Sequence, residues 1–185
     1  MNEYQILLDI VRQTFASVVW THKIQEKQAD IYNERYEFIE TANIVIVSVT
    51  ACGIISLVFT DQLWVKIGAS LLSLLTIAIS VYDKTFNLRD LGERHKIAAN
   101  KLISVRNELL QIMADIHVHK DSVDTINSRY QELAVRLNKI YSEIPTTTSK
   151  AVERAGEALK TNEEFTYSEE EIDRFLPPTL RGRLK

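Results

Sequence analysis

Two almost uncharged stretches interrupt a chain that is otherwise rich in alternating apolar and charged positions. Residues 41–60 (TANIVIVSVTACGIISLVFT) hold no charged side chain, and residues 63–82 (LWVKIGASLLSLLTIAISVY) hold one, Lys66. A helix of this length spans about 30 Å, the thickness of the hydrocarbon core of a bilayer. Only Asp61 and Gln62 separate the two stretches. The pattern therefore predicts an antiparallel two-helix transmembrane hairpin over residues 41–82.

The ends of the second stretch carry side chains that are typical of the membrane interface. Trp64 and Tyr82 stand at opposite ends, as aromatic belt residues do. Lys66 and Lys84 flank them, and a lysine can extend its long stem to the polar boundary. The alternative is a hairpin buried at the centre of a soluble bundle. A soluble core helix normally keeps a polar stripe, and a chain of 185 residues hardly suffices to bury two such helices on all sides.

The distribution of basic residues around the hairpin predicts its orientation. Near the loop between the spans the one basic residue is Lys66, whereas both outer flanks are basic. Because cytoplasmic flanks carry the excess of lysine and arginine, both termini are expected on the cytoplasmic side. The flanking basic residues are Lys23, Lys27 and Arg35 upstream and Lys84, Arg89, Arg94, Lys96 and Lys101 downstream.

Helical periodicity continues outside the two stretches, so the sequence predicts an all-α membrane protein. Residues 1–40 form an amphipathic N-terminal helix, and residues 83–144 form a cytoplasmic antiparallel αα-hairpin of coiled-coil character. Two heptad seams of apolar residues, broken at 117–120, define this second unit; they pack either on the N-terminal helix as a bundle or between subunits. Residues 145–185 hold further helices, predicted over 150–164 and 169–175 or 176, and a basic tail.

Small and hydroxyl-bearing side chains follow one face of each predicted span. Two interpretations stay open: helix packing within one hairpin, or the lining of a pore in a multimer. Asp83 follows the second face and is a candidate for a pore mouth that favours cations. The candidate pore-lining residues are Ser48, Cys52 and Ser56 in the first span and Ser73, Thr76 and Ser80 in the second.

Composition and motifs offer little support for other classes of function. The net charge of −3 provides no basic footprint for nucleic acid, and a single cysteine excludes an internal disulfide. No glycine-rich phosphate loop or nucleophile elbow occurs. His117 and His119 fall in a predicted turn without the further ligands of a metal site, while His22 and His95 fall on apolar faces. We expect no catalytic residues, no metal and no cofactor, and therefore no enzyme.

Four short stretches carry a resemblance to a known family over nearly the whole chain. The stretch THKIQEKQADI (21–31) precedes the hairpin, and NEE (162–164) with SEEEID (168–173) and FLP (175–177) lies near the C-terminus. Together with the order of helices they resemble the SLATT family. These are bacterial two-transmembrane effector domains that are associated with nucleotide-sensing conflict systems.

The resemblance implies a pore-forming or membrane-disrupting effector of antiviral defence in the bacterial inner membrane. Such an effector is held inactive until a sensor detects infection, and it then causes abortive infection. The implied partners are the lipid bilayer, further copies of the chain, and a sensor encoded nearby, either a nucleotide-signalling module or a reverse transcriptase. The alternative hypothesis is a membrane-anchored helical scaffold or adaptor without pore activity.

Overall fold

The computed structural model describes residues 2–56, 62–177 and 181, apart from the side chain of Ser56. Within these residues every regular element is a helix, which confirms the all-α fold class. The end of the first apolar stretch (57–60), Asp61 of the predicted turn and nearly all of the basic tail lie outside the described residues. The helices are α1 (Glu3–Ser56), α2 (Leu63–Phe86), α3 (Leu88–His117), α4 (Val123–Glu143), α5 (Ser149–Lys160) and α6 (Glu169–Phe175).

Helix α1 runs unbroken for 54 residues, from the start of the chain into the first apolar stretch. No proline occurs in it, and its first glycine is Gly53, so nothing in its sequence interrupts the backbone hydrogen bonds. At 1.5 Å per residue the helix is about 80 Å long. One continuous helix therefore belongs to both the water-soluble and the apolar part of the molecule.

The water-soluble part is a bundle of α1, α3 and α4. The heptad seam of α3 is buried against α1 and α4, so the seams pack on the N-terminal helix within one chain. Leu102, Leu109 and Ile126 are completely buried at its centre, and Val11 and Val18 face them from α1. The turn between α3 and α4 falls at the predicted break, and Ser122 caps α4 by accepting a hydrogen bond from the backbone N–H of Thr125.

The junction between the second span and the bundle is a one-residue break at Asn87. Asn87 adopts a left-handed conformation with φ 42°, which asparagine tolerates better than most residues. Its N–H donates to the carbonyl of Asp83 at 2.8 Å, and its side chain accepts from the N–H of Asp90 at 3.4 Å. The same residue thus ends α2 and caps α3.

The C-terminal region differs from the sequence prediction in one place. The helix predicted over 150–164 ends at Lys160, because Glu163 and Phe165 adopt left-handed conformations with φ 50° and 77°. The predicted helix at Glu169–Phe175 is present, with a complete capping box between Ser168 and Glu171. The chain between α5 and α6 instead packs back on the bundle.

Candidate functional site

The two apolar helix segments lie almost entirely on the outside of the structure. Two helices are long and apolar enough to cross a membrane, and only 6% of the most apolar window of each is buried. A hairpin at the centre of a soluble bundle would be mostly buried, so this alternative is wrong for the described residues. Their exposed apolar faces match a lipid environment.

The spans contact each other through small side chains. Thr50 of α1 and Ala69 of α2 are buried at this contact, each 8% exposed. A Cβ atom added to Gly53 would lie 4.0 Å from the Cβ of Ala69, so the two helices approach closely there. Since lipid provides no hydrophobic drive for helix association, close contact between small residues is the main attraction available.

The candidate pore-lining residues do not form one surface within a single chain. Ser48, Cys52 and Ser80 are exposed, whereas Ser73 and Thr76 are half-buried, and the side chain of Ser56 lies outside the described residues. The four described hydroxyls each donate to the carbonyl oxygen four residues earlier, at 2.8–3.0 Å. Their oxygens keep lone pairs that can accept from water or contact a cation.

The residues predicted at the membrane boundary lie at the ends of α2. Trp64 is 81% exposed and Lys66 is exposed near the start of the helix. At the other end the ring of Tyr82 contacts that of Phe86 in a tilted arrangement, with centroids 4.6 Å apart, and Lys84 is exposed. Asp83, the pore-mouth candidate, is half-buried one turn before the end of α2.

A cluster of buried polar side chains lies in the middle of α1, in the stretch that carries the family resemblance. His22, Lys23, Gln25 and Gln28 are each 3% exposed or less. Burying polar side chains is unfavourable unless hydrogen bonds compensate. The partners of this cluster therefore show which parts of the molecule α1 is tied to.

Gln25 and Gln28 tie α1 to α3 and to the α4–α5 loop. The Oε1 of Gln25 lies 2.5 Å from the Nδ1 of His95; because an amide oxygen only accepts, Nδ1 carries the proton. The Nε2 of Gln25 donates to the carbonyl of Pro145 at 3.0 Å. The Oε1 of Gln28 accepts from both the N–H and the hydroxyl of Thr148, each at 2.8 Å. These two glutamines thus connect α1 to residues that lie 70 and 120 positions further along the chain.

Lys23 ties α1 to the segment after α5. Its Nζ donates to Glu26 and to Glu164, each at 2.7 Å, and lies 3.9 Å from the ring centroid of Phe165. Burial by itself lowers the pKa of Lys23, but the hydrogen bonds to Glu164 and Glu26 outweigh it and raise the pKa above its ordinary value. The hydrogen bond from Lys23 likewise lowers the pKa of Glu164. Lys23, Glu26 and Glu164 are therefore all charged at neutral pH.

The two buried histidines make stability depend on pH. Burial lowers the pKa of both His22 and His95 below 6.5, although the charge of Glu26 opposes the shift at His22. Near and below pH 6.5 the folded state then binds fewer protons than the unfolded state. The contribution of the two histidines to stability is therefore fully present above pH 6.5 and is lost as the pH falls below that value.

We expect the melting temperature of the full chain to fall as the pH is lowered from about 7.5 to 5.5. The reason is that the free energy of unfolding decreases by at most about 1.4 kcal/mol per pH unit for each histidine. Thermal unfolding followed by circular dichroism measures this. His95→Gln should reduce the pH dependence, whereas His117→Gln, at an exposed position, should leave it unchanged. Equal pH dependence in all three proteins would contradict the assignment.

The described residues contain no group of three or more histidine, cysteine or acidic side chains that could hold a metal ion. The polar cluster instead connects α1 to α3, to the α4–α5 loop and to the segment after α5. The same helix continues into the first apolar span. The fold and this site define a class of protein: a two-span membrane protein with a helical bundle outside the bilayer, in which one helix of the bundle continues directly into the first span.

The chain belongs to the SMODS and SLOG-associating 2TM effector domain family 4, whose model matches residues 7–171. This confirms the resemblance to the SLATT family. The protein is therefore a membrane effector domain of conflict systems. No curated protein and no solved structure matches the chain significantly.

Proposed function

We propose that this chain forms an oligomeric pore in the bacterial inner membrane and causes abortive infection when a sensor protein encoded nearby activates it. Both termini face the cytoplasm, where the sensor acts on the bundle. The activity is the passage of ions and requires no catalytic chemistry. The single observation that carries the proposal is the continuity of α1, which joins the polar cluster around Lys23 to the first span without a break.

That continuity provides a route from signal to membrane. A sensor that favours a different packing of the bundle changes the position of α1, and the first span must follow because no joint separates them. At the second span the only break is the capped turn at Asn87. A change in bundle packing is therefore transmitted to both spans.

The exposed polar face of the first span supports an oligomer. Ser48 and Cys52 lie one helical turn apart and are both exposed. Small and hydroxyl side chains on a membrane helix are enriched where another helix or water covers them. A second candidate is a membrane-anchored scaffold. It is favoured by the hydroxyls of Ser48 and Ser80, which donate to carbonyls of their own helix and can therefore face lipid without an unpaired donor.

Cys52 allows these candidates to be separated, since it is the only cysteine of the chain. In liposomes that contain the full chain and its sensor, a positively charged thiol reagent should reduce the ion current of the wild type and leave Cys52→Ser unaffected. In the Cys52→Ser background, cysteines at Ser48, Ser73, Thr76 and Ser80 identify the lining face. Leu74→Cys, at an apolar and 64% exposed position, is the matched control.

A companion experiment uses membrane-potential dyes in growing bacteria. We expect wild type to depolarise the cells and Ser73→Leu/Thr76→Leu to insert without depolarising them. Depolarisation that persists in this variant would reject the lining role of the second span. Inserted wild type that never depolarises the membrane, even with the neighbouring sensor gene present, would favour the scaffold.

A further inference from the structure

A cleft of about 660 Å³ opens on the bundle between α1, α3 and the segment Glu164–Tyr167. Small-molecule sites are typically concave and measure about 300–1,000 Å³. Four aromatic residues line this cleft: Phe15 and Trp20 from α1, and Phe165 and Tyr167 from the segment. Leu110 of α3, which is 47% exposed, contributes to the apolar lining. The cleft lies outside the membrane spans and is independent of the proposed pore.

Arg106 provides a cation in the lining of this cleft. Its Nε is buried and has no hydrogen-bond partner among the described residues. Its guanidinium carbon lies 5.2 Å from the ring centroid of Phe165. The side chain as a whole is half-buried and lines the cleft, so an anion in the cleft can accept a hydrogen bond from the guanidinium and compensate its charge.

The charges around the cleft favour an anion. Lys160 places its Nζ 5.3 Å from the ring centroid of Trp20, next to the cleft. The one acidic side chain in the lining, Glu164, is already engaged by Lys23 and Lys27. Arg106 and Lys160 thus remain to attract negative charge.

The wall formed by the segment is held in place without a ligand. Phe165 adopts a left-handed conformation with φ 77°, which is rare for a bulky residue and is often found at ligand clamps. The turn is fixed by backbone hydrogen bonds at 2.9 Å from Glu164 to Ala158 and from Thr166 to Glu163. Lys23 packs over the ring of Phe165. The aromatic wall is therefore preformed.

We propose that this cleft binds a small molecule in which a planar ring is joined to an anionic group. The aromatic and leucine side chains contact the ring, and Arg106 binds the anion through a charge-assisted hydrogen bond. The anion is a phosphate or a carboxylate, because either group accepts from a guanidinium in the same way.

Trp20 reports on binding once the second tryptophan is replaced in a Trp64→Phe chain. Adenosine monophosphate and nicotinate serve as the ring–anion probes, and adenosine and nicotinamide are their uncharged counterparts. We expect saturable quenching of Trp20 fluorescence by at least one charged probe and about 10- to 100-fold weaker binding of its uncharged counterpart. Which charged probe binds distinguishes a phosphate site from a carboxylate site.

Two variants and a control test the assignment to Arg106. Arg106→Gln should weaken binding about 10- to 100-fold, and Leu110→Glu, which places an acid at an exposed position of the lining, should abolish it. Arg12→Gln, whose side chain is 67% exposed on the same bundle, should bind as the parent does. Absence of saturable quenching by both charged probes would overturn the proposal. Equal affinity of the parent and either folded variant, Arg106→Gln or Leu110→Glu, would also overturn it.

Discussion

Replacement of Leu109 by alanine is expected to destabilise the bundle by about 2–5 kcal/mol. Leu109 is completely buried in the core shared by α1, α3 and α4. Its truncation loses the transfer free energy of the side chain and leaves a cavity that three long helices cannot close by a small shift. Thermal unfolding of the full chain in detergent should show a melting temperature lower by roughly 2–4 °C per kcal/mol.

The neighbouring Leu110 provides a matched control. It has the same side chain on the same helix but is 47% exposed, so Leu110→Ala should change the free energy of unfolding by less than about 1 kcal/mol. If both substitutions lowered the melting temperature equally, the placement of the heptad seam of α3 would be wrong.

Replacement of Glu40 by proline is expected to abolish depolarisation by the activated protein while the bundle and the hairpin stay folded. Glu40 is exposed in α1, between the bundle and the first span. Proline removes one backbone hydrogen bond and clashes with the carbonyl four residues earlier, at a cost of about 3 kcal/mol or more, and it kinks the helix. The kink separates the two parts that α1 joins.

Two controls distinguish a broken connection from a general effect. Glu40→Ala removes the same side chain and should retain activity. Leu63→Pro places proline at the first position of α2, after Gln62 in an extended conformation, where proline is tolerated. Membrane-potential measurements on all three variants, with insertion confirmed by fractionation, test the expectation. Full activity of Glu40→Pro would rule out transmission along α1.

The architecture was largely predictable because it depends on local patterns. The uncharged stretches, the seam from Leu88 to Ile116 and the capping box at Ser168 are each visible in short windows of sequence. The break at Asn87 was missed, since no glycine or proline marks it. The early end of α5 was missed because 161–164 reads as helix; in the structure Glu163 is left-handed and Glu164 contacts Lys23, 141 residues away.

The candidate sites were less predictable than the fold. The sequence placed His22 and His95 on apolar faces, and both are buried, but their partners come from distant parts of the chain. No local pattern indicates that Gln25 meets His95 or that Arg106 approaches Phe165. The hydroxyl faces of the spans were inferred from spacing alone, and their role in lining a pore stays a prediction.

The unbroken α1 also fixes an angular relationship between the two halves of the molecule. Each residue of an α-helix turns the chain by about 100° around its axis. A single residue gained or lost between Arg35 and Glu40 would therefore rotate the first span by about 100° relative to the bundle. A change of seven residues, close to two full turns, would nearly restore the original direction. Sequence length in this short region is thus constrained to steps of about one heptad, even though its side chains are mostly exposed to water.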